Sequence, residues 1–314
     1  MVSHSSKKVI YAALASNLAI AVIKGLAATW TGSSAMACES IHSLVDTCNQ
    51  WLMLLGLSRA TRPADERYPF GYGRELYFWV FVVGLLIFAG GGIVSIAEGF
   101  EKVMHPTPVV SAWINYVVLG AAIAIETNSF LVAQREFQTQ KGTLGYLEAM
   151  RSSKDPTVFA VLLEDVAALA GLLVAAAGIM IADLLNLPMV DGLASLGVGA
   201  ILIGVSVFLV AEAKGLLIGE AASPDLVAAV RTLALRQPGV EAVSAVLTQH
   251  LGPADVLVNI SLDFCDSESA GFVERTVAEI EREIKDKFPE VTRLFVEIKS
   301  ADGASKKTGT RAAV

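Results

Sequence analysis

The feature that most restricts this chain is how its apolar residues are gathered. A membrane-crossing helix needs about 20 mostly apolar residues. Six stretches qualify: 9–30, 34–57, 76–96, 113–132, 157–184 and 190–211. Hydrophobic residues make up 54% of the 314 residues and charged residues only 18%. That is too apolar for a soluble domain and fits no disordered or fibrous class. The reading that follows is an α-helical membrane protein with six transmembrane helices.

The connections between these stretches alternate in charge. One set carries Lys7, Lys8, Arg59, Arg62, Arg67, Arg74, Arg135, Lys141, Arg151 and Lys154. The other set is short and holds one basic residue, Lys102. Lys and Arg mark the cytoplasmic side of short loops, so both termini are expected in the cytoplasm. The net charge of −7 and a pI near 5.2 exclude a basic nucleic-acid surface. The three cysteines show no CxxC spacing and read as small packing residues.

Past Gly219 the pattern turns polar and periodic. Residues 225–236 read as an amphipathic helix, 242–248 and 256–264 as strands, 269–287 as a second helix and 291–298 as a last strand. This predicts a small α+β domain, α-β-β-α-β, on the cytoplasmic side. The expected division is a cytoplasmic N-terminus (1–8), a six-helix membrane domain (9–219), an α+β domain (220–300) and a disordered tail (301–314).

Inside the second apolar stretch lies CESIHSLVDTCNQ, residues 38–50. At about 100° per helical residue, Glu39, His42, Asp46, Asn49 and Gln50 share one arc roughly 100° wide. Each intramembrane ionisable group costs about 2.5–3.5 kcal/mol on insertion scales, so such groups mark sites or pathways. His42 and Asp46 are four residues apart, one turn above the other, which supplies half of a four-coordinate metal site. Helix–helix glue in membranes is usually amide or hydroxyl rather than charge. A tight turn near Gly32 makes the first two spans an antiparallel hairpin. Lys24 then lies level with Glu39, and Asn17 with Asp46. A Lys24–Glu39 ion pair is expected, with Asn17 supporting Asp46 and Asn49 in a supporting role. In the fifth stretch Glu164 and Asp165 are neighbours, so their side chains point about 100° apart and only one can face a given partner squarely. Their depth matches that of Asp46. Glu126 is a lone carboxylate in the fourth stretch, a candidate for the site, a proton path or a helix contact.

Taken in order, SAMACESIHSLVDTCNQ, PFGYGRE, HPTP, DPTVFAVLLEDVAAL and VDGLASLGVG resemble the cation diffusion facilitator family, most closely its zinc-transporter-9 branch. The resemblance covers nearly the whole chain. It implies a tetrahedral site from two residues four apart in span two and two residues four apart in span five. His42, Asp46 and Asp165 match three of those positions; the fourth is Val161. Glu164, water or Glu126 could supply the missing ligand. Losing an imidazole shifts the donor set toward oxygen and admits Mn²⁺, Co²⁺ or Fe²⁺ beside Zn²⁺. Many relatives carry metal-binding histidines in the loop after span two and in the cytoplasmic domain. Here Tyr68 and Tyr72 stand in that loop and His250 is alone in the domain. Homodimerisation is therefore expected by packing rather than through a metal.

Metal loading needs neutral His and ionised carboxylates, so it displaces protons. The function this implies is export of divalent metal, Zn²⁺ foremost, in exchange for H⁺. The alternative is a membrane scaffold or metal sensor that keeps the fold. No HExxH or nucleophile motif is present, so no enzyme is expected. No permanently bound cofactor is expected either. A bacterial inner membrane is the expected location, since no transit peptide precedes the first span.

Overall fold

The computed structural model describes residues 4–31, 34–106, 112–185 and 187–299. Within them the side chains of 4–6, 28, 31, 34–39, 41, 42, 112, 114, 115 and 140 are not described. The tail expected to be disordered, and the Gly32 turn, lie outside the described residues. The chain forms two compact units, Met1–Arg62 with Arg74–Gly215, and Pro63–Gly73 with Leu216–Val314.

The first unit is helical. It contains α1 (His4–Thr31), α2 (Ser34–Ala60), α3 (Glu75–Leu86), a π-helical segment (Ile87–Ile93), α4 (Val94–Met104), α5 (Ala112–Lys141), a short α6 (Tyr146–Ser152), α7 (Pro156–Leu185) and α8 (Met189–Ile218). Among the described residues, five helical stretches are long and apolar enough to cross a membrane: Lys7–Ala27, Glu75–Met104, Tyr116–Thr139, Pro156–Leu185 and Met189–Ile218. α2 is as long but carries the polar stripe, which dilutes its apolar character. The outward surface is apolar, with Trp30 92% and Leu184 72% exposed. Such a surface suits lipid and is unfavourable in water. The shared core gathers Ile10, Met53, Leu57, Leu76, Phe159 and Leu209 from five helices. α6 was not visible in the sequence, being too short to show a period.

The third span and α8 touch backbone to backbone. A β-carbon at Gly99 would meet the Leu196 nitrogen at 2.8 Å, and one at Gly192 would meet the Val103 nitrogen at 2.8 Å. Gly199 likewise faces Ile96, and Gly84 faces Val210. Small residues permit such approach where lipid supplies no hydrophobic drive. Gly92, in the π-helical IFAGGGI, faces Ile203. Gly204 has nothing within 4 Å, so it plays no part in this contact. Lys102 Nζ pairs with Asp191 Oδ2 at 2.9 Å, joining α4 to the start of α8.

The second unit has the order α9 (Pro224–Leu235), β1 (Val240–Gly252), β2 (Asp255–Phe264), α10 (Ala270–Lys287) and β3 (Val291–Ile298). β1 and β2 are antiparallel, while β2 and β3 are parallel, which requires the α10 crossover. Ser223 and Ser269 cap α9 and α10 by accepting from the Leu226 and Phe272 amides. One sheet face packs Val256, Val258, Ile260 and Leu262 against Val230, Ile280 and Ile284. The loop Pro63–Gly73 belongs to this unit. A β-carbon at Gly73 would collide with the Leu251 carbonyl, and the Arg293 guanidinium lies 5.5 Å over the Phe70 ring.

Candidate functional site: an acidic cluster between α2, α5 and α7

The polar arc of α2 turns into the bundle. Asn49 and Gln50 are fully buried, and Asp46 is partly buried. α1 and α2 pack along each other. Ser40 Oγ donates to the Ala21 carbonyl at 2.8 Å, and Lys24 Nζ donates to Ser43 Oγ at 3.1 Å. Lys24 and Asn17 are both buried on α1. Glu39 and His42 sit on α2, but their side chains lie outside the described residues, as does any contact they make.

On α7 the offset between neighbouring residues sends the two carboxylates to different helices. Glu164 turns to α2: Oε1 accepts from Asn49 Nδ2 at 3.3 Å, and Oε2 accepts from Gln50 Nε2. Asp165 turns to α5, where Oδ2 accepts from Ser129 Oγ at 3.0 Å. Glu126, also buried, sits one helical turn before Ser129 on α5. The charges of Asp46, Asp165 and Glu126 all act on Glu164, and those of Asp46 and Lys24 act on Glu126. Among the described residues, four carboxylates from three helices therefore lie in one electrostatic neighbourhood, with Lys24 acting on Glu126.

The described carboxylates do not by themselves form a closed metal cage. Among the described residues, no three His, Cys, Asp or Glu side chains converge closely enough to hold an ion. The Glu126 Oε2, Asn49 Oδ1 and Gln50 Oε1 atoms are buried without a partner. Buried acceptors in that state cost about 1–3 kcal/mol each, which water, a proton or a cation can relieve. Val161 is fully buried in the apolar core together with Val158 and Phe159, so packing occupies the position where a ligand was sought.

Gln50, Ser129 and Ser43 join the site without having been named for it. Gln50 stood on the polar arc, and Ser129 follows Glu126 by three residues, so both signals were in the sequence. Nothing in the sequence marked Ser43 as a partner of Lys24.

Outside the membrane unit, Asp65 is exposed and accepts from Tyr72 Oη at 2.6 Å and from the Tyr68 amide at 2.7 Å. These donors, Tyr72 first, hold its carboxyl below the ordinary value of 3.8. His250 is buried in β1, with Nδ1 3.4 Å from the Gly252 carbonyl.

Residues 10–218 match the profile of the cation efflux transmembrane domain. The chain belongs to the cation efflux family. This is the cation diffusion facilitator family that the motifs resemble, and its members are transporters rather than enzymes. A mouse (Mus musculus) protein named proton-coupled zinc antiporter SLC30A9, mitochondrial, is 35% identical over 260 residues, covering 82% of this chain and 46% of its own length. Metal tolerance protein C4 of Arabidopsis thaliana is 30% identical over 238 residues, covering 75% of this chain and 52% of its own. Magnetosome protein MamB of Magnetospirillum gryphiswaldense is 24% identical over 301 residues, covering 92% and 93%. The chain spans about half the length of the first two relatives.

Proposed function

We propose that this protein is a divalent transition-metal/H⁺ antiporter that moves Zn²⁺, or Mn²⁺, Co²⁺ or Fe²⁺, out of the cytoplasm. The observation that carries this reading is a set of carboxylates buried or half-buried in one helical unit, Asp46, Glu126, Glu164 and Asp165, with Glu164 held to α2 by Asn49 and Gln50 and Asp165 held to α5 by Ser129. His42 precedes Asp46 by one helical turn on α2. Likeness to a proton-coupled zinc antiporter over most of this chain supports it.

α2 acts as the sixth span in this proposal. α2 packs along α1, which it follows after two residues, and only an even number of crossings returns every basic loop to one side. His42, Asp46 and Asp165 bind the metal, with Glu164 as the fourth ligand in place of Val161. Glu39 pairs with Lys24, while Asn17 and Asn49 support the ligands. Repulsion among four carboxylates rises as protons leave and falls when a dication enters, so proton release and metal loading favour one another. Glu126 takes up a proton when the metal departs. A bacterial membrane fits the likeness to MamB along nearly the whole chain, and the basic loops argue for both termini in the cytoplasm.

The protein works as a homodimer through its second unit. The sheet face opposite the helices supports this, for it exposes Leu247 of β1 and Phe295 of β3 on either side of Asn259. Val161 favours one other reading, a scaffold or sensor without transport, since the family ligand is absent there. Equilibrium zinc binding to the purified protein tests the site. Wild type should bind, and His42→Ala and Asp46→Ala should each abolish binding. Unchanged binding in both variants would refute the assignment.

A further inference from the structure

Glu164 is set among three other carboxylates, all of which push its charge away. It nonetheless lies against α2, the helix that carries Asp46. Two fully buried amides hold it there, one on each oxygen: Asn49 on Oε1 and Gln50 on Oε2. Both amides turn their donors to Glu164 and leave their own carbonyl oxygens buried without a partner. A side chain that gives up one hydrogen-bonding end to hold a neighbour is arranged for that neighbour, not for its own satisfaction.

We propose that Gln50 is a positioning residue for Glu164. It holds the α7 carboxylate on α2, beside Asp46, and so compensates for the ligand that Val161 lacks. Each Glu164 oxygen spends one lone pair on an amide and keeps another for a cation, since a carboxylate oxygen has two. Gln50 thus acts on the metal only through Glu164. Its loss lets repulsion from Asp46, Asp165 and Glu126 turn the carboxylate away. The inference rests on the antiporter reading and deepens it by naming what orients the fourth ligand.

The test is zinc affinity and transport in the full-length protein, comparing Gln50→Met and Gln50→Glu with wild type. Both variants keep the length of the side chain; one removes the donor, and the other replaces it with a repelling charge. Outer-shell partners of this kind are worth about 10- to 100-fold in metal affinity. Gln50→Met should weaken zinc binding by about 10-fold and raise KM more than it lowers the maximal rate, and Gln50→Glu should weaken it further. In a Glu164→Gln background, adding Gln50→Met should change affinity no further. Unaltered affinity in both Gln50 variants, or an equal loss in the Glu164→Gln background, would overturn the positioning role while leaving the antiporter in place. If Gln50→Met fails to fold, the Gln50→Glu comparison in the two backgrounds decides by the same criterion. Wild type that binds no zinc would overturn both the antiporter and this inference.

Discussion

Replacing Gly99 with alanine probes how closely the third span and α8 approach. The added β-carbon would sit 2.8 Å from the Leu196 nitrogen, 2.9 Å from the Gly192 carbonyl oxygen and 3.0 Å from Leu196 Cδ2. Two of these are backbone atoms, which cannot rotate aside. α8 must then retreat by roughly 0.5 Å to reach ordinary contact, as overpacked cores do. That retreat also loosens Gly92 against Ile203 and Gly199 against Ile96, which lie along the same seam. Overpacking of this kind costs about 1–3 kcal/mol. Gly204→Ala is the matched control: it lies on the same helix as Leu196, with nothing within 4 Å. Both substitutions share the helix-propensity gain of about 1 kcal/mol, so their difference isolates the clash. Reversible unfolding in mixed micelles should place Gly99→Ala about 1–3 kcal/mol below Gly204→Ala. Equal stability of the two would show that the helices do not meet backbone to backbone.

Three further outcomes follow from particular contacts. Tyr72→Phe removes the larger of the two donors on Asp65, so an NMR titration should find that carboxyl moved up toward its ordinary 3.8. Because the folded value is depressed, the contribution of this contact is present above about 3.8 and fades as pH falls through the lower folded value. Ser223→Ala strips the cap from α9 and should cost about 1 kcal/mol in chemical unfolding of the protein. Val161→His places an imidazole in an apolar, fully buried position and should lower the stability of the zinc-free protein by about 1–3 kcal/mol, read as a lower Tm.

Much of this architecture could be read directly from the residues. The apolar stretches located the long helices because lipid requires a continuous run. The α-β-β-α-β order was legible because Val256 to Phe264 and Val273 to Ile284 carry clear periods of two and about 3.6. The polar arc of α2 was visible for the same geometric reason. What a single helix pattern cannot give is the partner across the bundle. The 100° offset between Glu164 and Asp165 predicted that they would part, but not that Glu164 would go to α2 and Asp165 to Ser129 on α5. That choice depends on how α7 is rotated between its neighbours, which all of their packing decides together. The loop at Asp65 to Arg67 is exposed, as suits its charged side chains. Its neighbour Gly73 nevertheless lies against the β1–β2 hairpin, a contact between distant parts of the sequence that no local pattern marks.

In the proposed mechanism, metal and protons exchange through the acidic cluster. The most direct measurement is zinc uptake into proteoliposomes that hold a pH-sensitive dye. With wild-type protein, an imposed zinc gradient should drive zinc inward while the interior becomes more alkaline as protons leave. Asp46→Ala should abolish both signals together. Zinc entry without any pH change, or no zinc flux through wild-type protein, would contradict the account.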